Sequence, residues 1–281
     1  MRPRLVLKIV LGVIVVSAVA WIASWGQSFV TTERELRVDY ILTPKRVERL
    51  PHPLGSGFDV AATGNIVIQA GGSLLELEAD PDGLVADRFS SSAPDNFTFD
   101  RGTTLLTITG QYFGQLDEAG KFSKAVPLPA QGMRLAPSTV GGAVYVFGGP
   151  SLTNRRVYAI SAEGKLAVIA EVLAPVVAVA DSSDAIYIAT AREIFKVAEK
   201  SVNLVVRVPI STGVIHSLAV CPDNHLLFFS TRDRVYAMQG LAAIAIVKNV
   251  GGALRLHDGT LYLWDARRHL LLSFPEVEKN L

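Results

Sequence analysis

The chain is poor in cysteine, in net charge and in long polar tracts. A single cysteine, Cys221, in 281 residues leaves no internal disulfide framework and no Cys-rich zinc or iron–sulfur site. It sits in the apolar run Leu218-Ala219-Val220-Cys221, with no evident basic partner, and reads as a small buried hydrophobe. Net charge is +1. Once Arg2, Arg4 and Lys8 are set aside, the 27 basic residues fall to 24 against 26 acidic, so the body carries −2. That balance gives no electrostatic footprint for nucleic acid. The histidines His52, His216, His225, His257 and His269 never form a close pair, and the glycine pairs at 71–72, 141–142, 148–149 and 251–252 match no phosphate-loop spacing. The 23 Gly and 14 Pro punctuate the chain without a polar low-complexity tract, which excludes disorder. After residue 60 no long stretch keeps a helical period.

The N-terminus is the exception. Residues Ile9 to Trp25 form an uncharged run of 17, and Leu5 to Gly26 gives 22 interrupted only by Lys8. At about 1.5 Å per residue the longer stretch reaches roughly 33 Å, enough for a hydrocarbon core of about 30 Å. Leu5, Ile9, Trp21 and Trp25 are the expected anchor residues, the tryptophans forming an interfacial belt. Ala18-Val19-Ala20 also fits a signal-peptide cleavage pattern, although apolar sequence continues through Trp21, Ile22 and Ala23. Arg2, Arg4 and Lys8 place the N-terminus in the cytoplasm, and a bacterial periplasm is the expected side for the body. Residues 1–27 are therefore expected as cytoplasmic tip and membrane helix, 28–43 as tether, and 44–281 as one folded domain.

That domain repeats. Short apolar runs alternate with Asp, Gly and Asn turns, the pattern of many strands. Aligning the strongly apolar strands on Ile66, Leu105, Val144, Ile186, Leu227 and Leu261 gives offsets of 39, 39, 42, 41 and 34. Six copies near a 40-residue period predict an all-β, six-bladed propeller of four-stranded blades. Five copies end in an outer strand (84–89, 123–129, 166–172, 203–209 and 243–249), and the sixth lacks one because the chain stops. Lys45 to Pro51 reads like the missing strand and is expected to close the last blade, which removes an exposed sheet edge.

The motifs DGTLYLWD (258–265), DNHLLFFST (223–231) and RVYAISAEGK (156–165) resemble six-bladed propellers of the NHL and gluconolactonase (senescence-marker) types. The resemblance covers about 45–281. It implies a central channel, and in gluconolactonase-like enzymes a divalent metal held there by a Glu, Asn residues and an Asp. That family's opening Glu-Gly-Pro motif should fall near Gly57-Phe58-Asp59, where it is absent, so the ligand set is not carried over.

Four residues are candidates for the channel. Asp59 and Asp100 each follow an aromatic residue on a first strand, and His216 and His257 lie in first strands of adjacent blades, where both are expected at the channel mouth. Asp181, Asp184, Asp223 and Asp258 read as turn formers, and Arg155-Arg156 and Arg267-Arg268 as solvated turn charges. With no catalytic constellation and no cofactor expected, the sequence favours a non-enzymatic, membrane-anchored accessory subunit. It would stabilise an integral inner-membrane complex (energy-transducing, secretion or envelope assembly), touching a partner helix through Ser17 and Ala20. The alternative is a periplasmic gluconolactonase-like hydrolase or small-ligand binder that uses the channel.

Overall fold

A computed structural model describes residues 44–277, apart from 51–54, 56, 71–72, 81–82, 91–93, 95, 101–103, 118–120, 137–143, 199–200, 223, 225 and 240–241. The expected membrane helix lies outside the described residues, with Leu5, Ile9, Ser17, Ala20, Trp21 and Trp25. Among the described residues no helix is long and apolar enough to cross a membrane.

Strand β1 (Arg46–Arg49) is followed by blade one: β2 (Phe58–Val60), β3 (Ile66–Ala70), β4 (Ser73–Asp80) and β5 (Gly83–Ser90). Blade two is β6 (Asn96–Phe99), β7 (Leu105–Thr109), β8 (Tyr112–Leu116) and β9 (Phe122–Pro127). Blade three is β10 (Met133–Leu135), β11 (Val144–Gly148), β12 (Arg156–Ile160) and β13 (Leu166–Glu171). Blade four is β14 (Val176–Asp181), β15 (Ile186–Thr190), β16 (Glu193–Ala198) and β17 (Ser201–Arg207). Blade five is β18 (Ser217–Val220), β19 (Leu227–Ser230), β20 (Arg234–Gln239) and β21 (Ala242–Lys248). Blade six is β22 (Ala253–His257), β23 (Thr260–Asp265) and β24 (Leu270–Phe274), completed by β1.

Each blade is an antiparallel meander, so the six-bladed, all-β propeller expected from the period is what forms. β1 lies antiparallel to β24 with Arg46 opposite Ser273 and Arg49 opposite Leu270. The backbone N–H groups of Lys45 and Leu50 donate to the carbonyls of Ser273 and His269 at 2.9 Å each and bracket the pairing.

Burial explains the apolar rhythm. Second and third strands are covered by neighbouring blades on both faces, so they read as continuous apolar runs and not as alternation. β19 and β24 are buried at every residue, whereas β17, an outermost strand, has no fully buried residue. Between blades four and five, Tyr187, Ile194, Leu218 and Phe229 pack together, with Phe229 and Tyr236 stacked at 4.8 Å. Between blades one and six, Phe58, Ile68, Trp264 and Leu271 do the same. Each such side chain contributes about 1.5–3 kcal/mol by leaving water. In blades one to five the third strand carries a bulge against the fourth, between Leu74/Leu75, Phe113/Gln115, Val157/Tyr158, Ile194/Phe195 and Val235/Tyr236. A bulge there adds twist to the outer strand. The β24–β1 pair, whose fourth strand comes from the other end of the chain, runs in unbroken register.

The meander fixes two faces. On the upper face lie the starts of the first strands, the links between blades and the turns from second to third strand. The first-to-second and third-to-fourth turns lie on the lower face.

Candidate functional site

A cavity of about 590 Å³ opens at the upper face, where the first strands begin, and every blade contributes to its wall. Phe58 and Gln69 come from blade one, Phe97 from blade two, Arg134 and Phe147 from blade three and Val177 from blade four. The link before blade five and the blade itself supply His216 and Arg232, and blade six supplies Arg255, Trp264 and Arg267. Gly251 and Gly252 let the link into blade six pass close to backbone: a Cβ on Gly251 would meet the Thr231 carbonyl, and one on Gly252 the Trp264 carbonyl.

The wall is cationic, and its arginines are held in place. The Arg134 guanidinium lies 4.8 Å over the Phe147 ring, and that of Arg255 lies 5.4 Å over Phe58. Blades three and six stand opposite one another in a six-membered ring, so these two arginines face across the cavity. Surrounding walls strip hydration from Arg134 and lower its pKa. His216 is also pushed below its usual pKa, chiefly by burial and then by the charges of Arg267 and Arg232. Its imidazole is therefore neutral at pH 7.

The carboxylates nearby are already engaged. Asp59, 4% exposed, is turned into the wall. Its Oδ2 accepts the Thr98 hydroxyl at 2.6 Å and the Phe99 N–H at 2.7 Å, and its Oδ1 accepts Arg255 Nε at 2.7 Å. It thus staples blade one to blades two and six. Asp265, also buried, accepts Arg268 Nη1 at 2.7 Å and the N–H groups of Arg267 and Arg268. The Asp59 staple has relatives: Asn96 Oδ1 accepts Leu135 N–H at 2.6 Å, and Ser217 Oγ accepts Leu254 N–H at 3.0 Å, each reaching from one first strand to the next.

The remaining candidates separate. Asp100 Oδ1 accepts Thr104 N–H at 3.1 Å and closes the β6–β7 turn on the lower face. His257 ends β22 beside Asp258, at 3.4 Å, also on the lower side. At about 3.3 Å per residue it lies some 13 Å along the strand from Ala253, the level of the cavity mouth. The expectation that His216 and His257 share a mouth is corrected, because a first strand carries its two ends to opposite faces. Arg267 and Arg268, expected as solvated charges, instead clasp Asp265, and Arg267 also donates to the Arg232 carbonyl.

A gluconolactonase-type metal does not fit this donor set. Asp59 and Asp265 are neutralised by arginines, the Asn96 carbonyl is committed, and a dication would meet guanidinium groups from two sides. Among the described residues no three His, Cys, Asp or Glu side chains group for a metal.

No family model matches the chain, and no curated protein matches it in sequence. Solved structures do match in fold. A structure described as a gluconolactonase aligns with TM-score 0.62 at 12% identity, covering 83% of this chain and 93% of its own. A gluconolactonase from Xanthomonas campestris aligns with TM-score 0.59 at 15% identity, covering 84% and 96%. A chain of a nidogen/laminin complex aligns with TM-score 0.60 at 10% identity, covering 75% and 88%. At these identities the likeness establishes the propeller, and function rests on the site.

Proposed function

We propose that this propeller binds a small organic anion in its central cavity. One observation carries the reading: the wall presents Arg134 and Arg232, which have no carboxylate partner among the described residues, while its acids are taken by other arginines. A carboxylate or phosphate takes two parallel hydrogen bonds from a guanidinium, and the buried rings of Phe147 and Phe58 back Arg134 and Arg255 and hold them toward the cavity. The volume suits a metabolite-sized ligand. Calorimetric titration with sugar acids, sugar phosphates and their neutral parents tests it. Anions should bind and neutral parents should not, and Arg134→Ala should weaken binding at least tenfold at unchanged melting temperature. Equal affinity for the neutral parents would sink the proposal.

Hydrolysis at the same cavity is a second reading. Two of the structural neighbours carry the gluconolactonase name, and His216, held neutral, is suited to accept a proton from water. Lactone turnover lost in His216→Gln, with anion binding retained, would establish it. Inner-membrane placement and a partner complex rest on residues 1–43 alone, and the comparisons add nothing to them.

A further inference from the structure

The exposed large apolar side chains divide by place. Val47, Val168, Val202, Leu204 and Ile244 lie on outermost strands, around the rim. Tyr112 begins β8 at the upper face, Leu152, Leu173, Ile210 and Val214 lie in upper-face turns and links, and among the described residues none lies in a lower-face turn. Three stand out as prongs: Leu173 is 93% exposed, Ile210 81% and Leu152 64%. They come from three separate connections around blades three, four and five. Beside Ile210 runs a largely apolar trough of about 720 Å³, walled by Ala174, Pro175, Val208 and Pro209 together with Arg192 and the Glu193–Arg207 pair. The prolines fix the backbone beside the prongs, so these side chains are held outward at little further entropic cost.

Charge follows the same division. Two upper-face acids are matched, Glu171 by Arg156 at 2.9 Å and Glu193 by Arg207 at 2.6 Å, while Asp233 lies exposed in the β19–β20 turn beside Arg232. Among the described residues Arg155 and Arg192 are left without a carboxylate there. Arg192 reaches the Pro209 carbonyl at 3.4 Å and so flanks the trough. Lower-face turns carry Asp100, Asp117, Glu163, Asp184 and Asp258 against Lys121 and Lys165, with Asp184 paired to Lys196.

We infer that the upper face over blades three to five docks on a phospholipid surface with anionic headgroups. Leu152, Leu173 and Ile210 enter the acyl boundary, and Arg155 and Arg192 meet the phosphates. Charge complementarity calls for an anionic partner, and aliphatic prongs that are 64–93% exposed select lipid. A protein partner would need a surface of matching shape for all three prongs. Separate aliphatic prongs on separate loops would each need a matching socket, whereas fluid acyl chains accommodate them as they stand. This inference uses neither the cavity reading nor the N-terminal run.

The test is position-specific, so any vesicle binding by residues 9–25 does not mask it. In the full chain, Leu173→Cys and Glu163→Cys are each labelled with a polarity-sensitive dye; the native Cys221 is buried. Vesicles are phosphatidylcholine with or without phosphatidylglycerol. The dye at 173 should shift to the blue and be quenched by bromolipid on the anionic vesicles, and high salt should reverse the shift. The dye at 163 should stay in water. Arg155→Gln with Arg192→Gln should weaken the 173 response about 25-fold at unchanged melting temperature. A 173 dye that stays in water on vesicle-bound protein overturns the inference. So does a shift produced without lipid by excess unlabelled protein, which would mark the face as a contact between copies.

Discussion

Asp59 shows how much one carboxylate holds. From blade one it binds a hydroxyl and a backbone N–H of blade two and a guanidinium of blade six. Removing one partner of a buried ion pair leaves the other uncompensated, at about 3–5 kcal/mol. We therefore expect Asp59→Ala to lower the melting temperature by roughly 6–20 °C, with a smaller loss in Asp59→Leu/Arg255→Met; calorimetric scans check both. His216 gives a pH signature. Its folded pKa lies below the ordinary 6.5, so in the window just under 6.5 the unfolded chain binds more protons and stability falls on acidification. His216→Gln should flatten the melting temperature against pH there. A bound anion favours the imidazolium, so ligand binding should take up a proton and tighten as pH falls, as titration in buffers of different ionisation enthalpy would register. The polarity of Asp59 was legible in the sequence. Its partners were not, because Thr98 lies 39 residues away and Arg255 lies 196 away.

At the level of elements, the sequence was most informative about the second strands. β3, β7, β11, β15 and β19 begin at Ile66, Leu105, Val144, Ile186 and Leu227, the residues on which the copies align. They are the strands sandwiched on both faces, so burial writes them as unbroken apolar runs. The bulges left no such trace, since a register shift changes no hydrophobic count. The closing strand emerged from a mismatch, five outer strands for six blades, and its test is a truncation. A chain beginning at residue 53 should melt well below one beginning at Ile41 and should self-associate through the bared edge of β24. Equal melting of the two would show that β1 closes nothing.

For the whole molecule, the cavity was the least legible part. Arg134 and Arg255 each stand alone among neutral neighbours in the sequence, Arg267 beside Arg268 reads as a turn charge, and the near-zero net charge hides a cationic centre. Only the ring collects them. The closed ring should also unfold as a unit: with β1 present, denaturant should give one transition by fluorescence and by circular dichroism, and without it the two probes should part. Closure has a cost in time as well. Arg46 leaves the ribosome early, yet its partner Ser273 is made 227 residues later, and the seam contacts of Trp264 Nε1 with the Gly55 carbonyl and of Arg255 with Asp59 wait almost as long. At about 5–20 residues per second, roughly 10–45 s of synthesis pass in which β1 has no mate. For that interval the nascent chain is an open arc with a loose strand at one end and an unfinished sheet at the other, and two chains on neighbouring ribosomes could exchange those ends before either is complete.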